Sequence, residues 1–205
     1  MAATAADYAW FEDRPAGLAE SYCLTMARGL TADEFLARIG ARSEQTRNGV
    51  EALFEPSMDL WREHDGDQLL IGVTTVPGDD GGWALGMEFN GYLGVTEELI
   101  VPLSAGTKLV AHSRNIEALS HFYWIEDRDI RLSFEPLFAS DREGSTPDAL
   151  TDVMQRVGFD VGEDGTNEHP TEASFALAEH LTSVRITPDL LERATYTCGI
   201  VAAPM

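Results

Sequence analysis

Positive charge is scarce in this sequence. Of 205 residues, 14 are basic and 35 acidic, the formal charge is −21, and Lys108 is the sole lysine. A surface of that sign repels phosphate backbones and anionic bilayers, which argues against nucleic acid or membrane as a direct partner. Long apolar runs are also missing. None approaches the ~20 residues of a membrane span, and the start MAATAADYAW has neither a basic nor a hydrophobic signal region. The chain reads as soluble and cytoplasmic. Cysteine is limited to Cys23 and Cys198, far apart in apolar segments, so both read as buried free thiols rather than a disulfide framework.

Catalytic signatures are absent as well. The sequence holds no G-x-S-x-G, H-E-x-x-H, G-x-x-x-x-G-K-[ST] or C-x-x-C, and DGD at Asp65–Asp67 and GEDGTNE at Gly162–Glu168 lack the ligand spacing calcium needs. No catalytic residue, metal or cofactor is expected, and the balance leans away from an enzyme.

What is present is a globular composition, 44% hydrophobic and 24% charged, in a chain long enough to bury a large core. Residues 1–66 read as mainly helical. In GLTADEFLARIGA, Thr31 and Glu34 form a capping box, Leu30 and Phe35 occupy the staple positions, and Gly40 suits the left-handed residue after the helix. Leu18, Tyr22 and Met26 recur every four residues, which predicts an earlier helix from about Pro15. Residues 67–136 alternate instead. Leu69, Ile71 and Val73, then Trp83, Leu85, Met87 and Phe89, predict strands joined by the turn PGDDGG; Lys108–Arg114 and the arms LSHFYWIE and DIRLSFE add more. Residues 137–205 return to helices, with Thr146 and Thr187 as caps before Pro147 and Pro188 and a further helix in TEASFALAEHL. The expected fold is a single α+β domain: a mostly antiparallel sheet of about five strands between N-terminal and C-terminal helices.

Several stretches carry a resemblance: SYCLTMARGLTADEFLARIGA, WALGMEFNGYLGVT, SAGTKLVAHSRN and FEPLFASDREGSTPDAL, with LAEHLTSVRITPDLL and ATYTCGIV more weakly. Together they resemble an uncharacterised family of about this length from Streptomyces and related actinobacteria, over nearly the whole chain. The resemblance implies no activity and no functional residue.

Three clusters are candidate surfaces. Glu88 and Asn90 lead into Gly91-Tyr92-Leu93-Gly94, where the glycines permit positive φ around Tyr92. This is either a ligand-presenting loop or a sheet corner with Thr96 capping the next helix. His112 and Arg114 share one side of a strand, with His121 on the next. With Glu88 they would form an acid–base or metal cluster, although the spacing matches no zinc motif. Asp141, Arg142 and Glu143 precede a helix start, as an ion-pair cluster or an anion clamp.

Charge is distributed unevenly. Asp67–Gly106 has six acidic residues and no basic one, and Ala139–Glu172 has nine against Arg142 and Arg156. The leading expectation is a non-catalytic, protein-binding module for a basic partner, concretely an inhibitor or immunity protein for a basic toxin or nucleic-acid-binding protein. The alternatives are a small-molecule binder or enzyme with a pocket at Glu88, Tyr92, His112 and Arg114, or a subunit of a larger assembly.

Overall fold

The computed structural model describes residues 2–13, 16–78, 81–163 and 165–203. The expected helix start at Pro15 and the centre of the PGDDGG turn lie outside the described residues. Seven helices occur among the described residues: α1 Ala16–Glu20, α2 Ala32–Arg38, α3 Phe54–His64, α4 Glu97–Leu103, α5 Thr151–Val157, α6 Pro170–Thr182 and α7 Pro188–Arg193. Ten strands accompany them: β1 Tyr22–Arg28, β2 Arg42–Ser43, β3 Arg47–Asn48, β4 Gln68–Gly78, β5 Gly81–Phe89, β6 Lys108–Arg114, β7 Ser120–Glu126, β8 Asp129–Phe134, β9 Arg142–Glu143 and β10 Thr195–Ala202.

The fold mixes helix with an antiparallel sheet, as expected, but the sheet has ten strands rather than about five. Its order is β2-β10-β4-β5-β1-β6-β7-β8-β9, with β3 pairing β10. Two long strands come from segments predicted as helix. The four-residue stripe Leu18, Tyr22, Met26 also contains the two-residue alternation Tyr22, Leu24, Met26, with Cys23, Thr25 and Ala27 between. All six residues from Tyr22 to Ala27 are buried. A strand covered on both faces loses the polar half of its alternation, so periodicity alone does not separate it from a buried helix. Burial of β10 is partial, with Tyr196, Cys198 and Val201 buried and both ends exposed, on a run rich in β-branched residues. Helix α7 stops at Arg193, and the chain then pairs with β4.

Where end chemistry is strong, the elements form as expected. Thr31 Oγ1 accepts from Glu34 N–H while the Glu34 carboxylate accepts from Thr31 N–H at 2.8 Å, and Gly40 is left-handed at φ +69°. Thr187 Oγ1 caps α7 through Leu190 N–H at 3.1 Å. Thr146 caps nothing. Its backbone and hydroxyl both donate to Arg131 O on β8, and α5 begins only at Thr151.

Helices cover both sides of the sheet. Tyr8 and Phe11 of an N-terminal 3-10 turn, Leu53, Met154, Phe175 and Leu191 pack on the face carrying Tyr22, Leu24 and Met26. Phe35, Leu36, Leu93, Ile100 and Leu103 pack on the other, against Ala27, Ala84 and Ala111. The second cover thins across β7–β9: Ile125 is still buried in it, but His121 is exposed and Tyr123 and Ser133 are half-buried.

Central placement has a measurable consequence. Amides of Cys23–Ala27 are expected to exchange with deuterium only through global unfolding, and those of the two-residue strands β2 and β9 far faster. Exchange of the β1 amides at the rate of β2 would contradict the strand order.

Candidate functional site

Antiparallel partners point to the same face of a sheet, so the register fixes which candidates can meet. Glu88 pairs with Cys23, Cys23 with Ser113, and Ser113 with His121. His112 belongs to the neighbouring row, with Leu24 and Phe122. Glu88 and His112 therefore lie on opposite faces. The expected pocket of Glu88, Tyr92, His112 and Arg114 does not assemble, and His112 and His121 cannot share a ligand. Among the described residues, no group of three or more His, Cys, Asp or Glu side chains is placed to hold a metal ion.

Glu88 is buried beneath Asn90–Gly94. Its carboxylate accepts from Leu93 N–H and Gly94 N–H, each at 3.2 Å, with the buried Cys23 thiol beside it. The glycines serve close approach rather than positive φ, which falls on Asn90 at +51°. A Cβ at Gly91 would strike the Glu88 carboxylate, and one at Gly94 would strike the Thr25 hydroxyl and come within 2.8 Å of Cys23 Sγ. Thr96 does not cap α4. Its hydroxyl donates to Tyr92 O at 2.8 Å and tightens the same corner.

On the opposite face His112 is fully enclosed. Its Nδ1 shares a hydrogen bond of 2.8 Å with Tyr22 Oη, and Phe175 meets the imidazole edge-on with ring centres 4.6 Å apart. Nε2 has no hydrogen-bond partner among the described residues. Arg114 sits at the strand end and pairs with Glu12 at 3.1 Å. Arg142 is no anion clamp: its Nη1 donates to Ala139 O and its Nη2 to Asp148 at 2.9 Å, while neighbouring Asp141 and Glu143 are exposed.

The remaining candidates line a groove on the thinly covered face. Its first half, a hollow of roughly 500 Å³, is lined by Trp61, Asn90, Tyr92, Arg114, Ile116, Leu119 and His121, among others. Three apolar side chains stand open here, Tyr92 at 37%, Ile116 at 74% and Leu119 at 54% exposure. The loop bearing two of them is closed by hydrogen bonds. Asn115 Oδ1 accepts from Glu117 N–H at 3.0 Å and Leu119 N–H at 2.9 Å, and Asn115 N–H donates back to Leu119 O at 2.9 Å. The second half, about 250 Å³, is lined by Glu97, His121, Tyr123, Ser133, Glu135, Asp141 and Glu143. His121 belongs to both halves. Tyr123 donates its hydroxyl to Glu97 at 3.2 Å, and burial, then Glu97, Glu143 and Glu98, push that hydroxyl up to about 12, so it stays a donor. Glu135 is fixed by Ser120 N–H, which it accepts at 3.1 Å. No lysine or arginine lines this half among the described residues.

His121, Tyr123, Glu97 and Glu135 did not emerge from the sequence as one acidic groove. The usable signals were strand parity in Ser120–Glu126, which sets His121 and Tyr123 opposite Phe122 and Trp124, and two bare aliphatic residues in the polar turn NIEAL.

Among known proteins, one family model, described as a family of unknown function (DUF6461), matches residues 1–205. No curated protein and no solved structure is matched.

Two buried groups titrate in opposition. Burial raises Glu88 from 4.5 to about 7, so between those values the folded state holds a proton the unfolded chain has released, and stability falls as pH rises. Burial lowers His112 from 6.5 to about 3, so across that window the unfolded chain holds the extra proton and stability rises with pH. The stability advantage of the wild type over Glu88→Gln should shrink by roughly 3 kcal/mol from pH 4.5 to 7.5. Its advantage over His112→Gln should grow from pH 4 to 6.5. Urea midpoints across pH check both, and parallel profiles for the three proteins would contradict the burial of these groups.

Proposed function

The chain belongs to DUF6461, a family of unknown function, and we propose that it is a non-catalytic module that holds a basic segment of another protein in the groove between Tyr92 and Glu143. The observation that carries the reading is the junction at His121. There an apolar hollow and one walled by four carboxylates, Glu97, Glu135, Asp141 and Glu143, share the His121 side chain. The two halves suit a peptide or loop that inserts an aliphatic or aromatic side chain beside Tyr92, Ile116 and Leu119 and lays lysines or arginines over the carboxylates. Exposed apolar anchors rimmed by charge are a usual composition for a protein-binding surface.

The net charge of −21 supports the same partner class. A field of one sign raises association rates with a basic protein by roughly 10- to 1,000-fold at low salt. The concrete form we favour is an inhibitor that occludes the working surface of a basic partner, such as a nuclease or another nucleic-acid-binding protein. Exclusion of nucleic acid itself follows from the same charge. None of the described helices is long and apolar enough to cross a membrane.

The test is capture of the tagged protein from its native host at low salt after nuclease treatment, followed by kinetics with whatever binds stoichiometrically. A basic protein released by rising salt is expected. Neutralising the acidic half with Glu97→Gln, Asp141→Asn and Glu143→Gln should slow association roughly 10-fold at low salt and little at high salt. Truncating the apolar half with Ile116→Ala and Leu119→Ala should instead speed dissociation. A partner that binds both sets of variants like the wild type, or an empty capture, would contradict the reading.

A further inference from the structure

The chain has four asparagines, and two of them, Asn48 and Asn90, precede glycine. In an Asn-Gly pair the following backbone nitrogen can reach the side-chain carbonyl carbon, because glycine has no Cβ to hinder the approach. Three of the four side chains are tied down. Asn115 Oδ1 accepts from Glu117 N–H and Leu119 N–H, and Asn167 Oδ1 accepts from Asp160 N–H at 2.6 Å while its Nδ2 donates to Pro136 O at 3.0 Å. Asn48 Oδ1 accepts from the Thr195 hydroxyl at 2.9 Å, and the nitrogen that would attack that side chain is held as well, since Gly49 N–H donates to Ala194 O at 2.8 Å.

Asn90 has neither restraint. Among the described residues its side-chain amide makes no hydrogen bond and Gly91 N–H has no acceptor; the Glu88 carboxylate takes the N–H groups of Leu93 and Gly94 instead. Asn90 stands just past the end of β5, half-buried, in the wall of the hollow beside Tyr92. We propose that Asn90 is a site of spontaneous deamidation. Gly91 N, its proton lost to hydroxide, attacks Asn90 Cγ; the Cγ–Nδ2 bond breaks, ammonia leaves with a proton taken from water, and a succinimide ring forms. Water then opens the ring at either carbonyl to give aspartate or isoaspartate. Both products set a new carboxylate in the wall beside Tyr92. Isoaspartate also lengthens the main chain by a methylene directly ahead of Gly91, where even a Cβ would strike Glu88, so it displaces the corner. The added charge strengthens the pull on a basic segment, a consequence that rests on the proposed function; the modification itself requires no partner.

Incubation of the folded protein at pH 8, digestion at acidic pH and peptide mass spectrometry test the proposal, with a parallel sample in concentrated urea. In the folded protein conversion at Asn90 should run roughly 10- to 100-fold faster than at Asn48, whose two hydrogen bonds must first open. In urea the two Asn-Gly pairs should react at similar rates, because only local sequence then acts. Loss of ammonia followed by uptake of water, giving two chromatographically separable isomers, identifies the chemistry. Conversion at Asn48 as fast as at Asn90 in the folded protein would overturn the proposal. So would an unchanged ratio in urea, or an Asn90 peptide that keeps its mass in the folded protein while the urea sample converts.

Discussion

Strand β1 is buried on both faces, and the parity of its residues decides where the polar groups of this protein lie. Cys23, Thr25 and Ala27 face α2 and α4, whereas Tyr22, Leu24 and Met26 face α6 and the N-terminal turn. Pairing then carries that parity outward in both directions, to Glu88 and Met87 on β5 and to Ser113 and His112 on β6. A one-residue slip of β1 against its neighbours would move its own two rows of side chains to the opposite faces. The separation of Glu88 from His112, and with it the absence of a single central pocket, follows from this register.

The two buried polar groups serve the scaffold in different ways. Glu88 organises the corner Asn90–Gly94, so the glycines there are required by contact with a carboxylate, and Tyr92 is left outside as the residue that loop presents. His112 is locked among aromatic rings with Tyr22 as its polar partner. Acidic side chains collect instead at the periphery, where one face of strands β7–β9 is only thinly covered. The apolar and acidic halves of the groove meet there because His121 and Tyr123 sit on the open face beside α4, whose first turn supplies Glu97.

How much of this was legible in the sequence depended on whether an element carries cap or turn chemistry at its ends. Helix α2 could be read from Thr31, Glu34 and Gly40, because end chemistry is local. Strands β4 to β8 could be read from alternation and turn residues. Strand β1 could not, because Leu18, Tyr22 and Met26 imitated a helical stripe, and β10 could not, because no glycine or proline separates it from the capped start of α7. Thr146 misled for another reason: a capping residue beside a sheet edge found Arg131 O before it found a helix. Of the candidate residues, Asn90, Tyr92, Arg114, Asp141 and Glu143 line the groove, and Glu88, His112 and Arg142 are committed to the scaffold. That division depends on pairing register, which no local pattern encodes.

The groove is tested most directly by placing a photoreactive phenylalanine analogue at Leu119 and, as a control, at Asp152 on α5, then irradiating in the native host. The account predicts a discrete adduct from position 119 with a protein whose cross-linked peptide is rich in lysine and arginine, and none from position 152. Equal labelling from the two positions, or an adduct from position 152 alone, would contradict it.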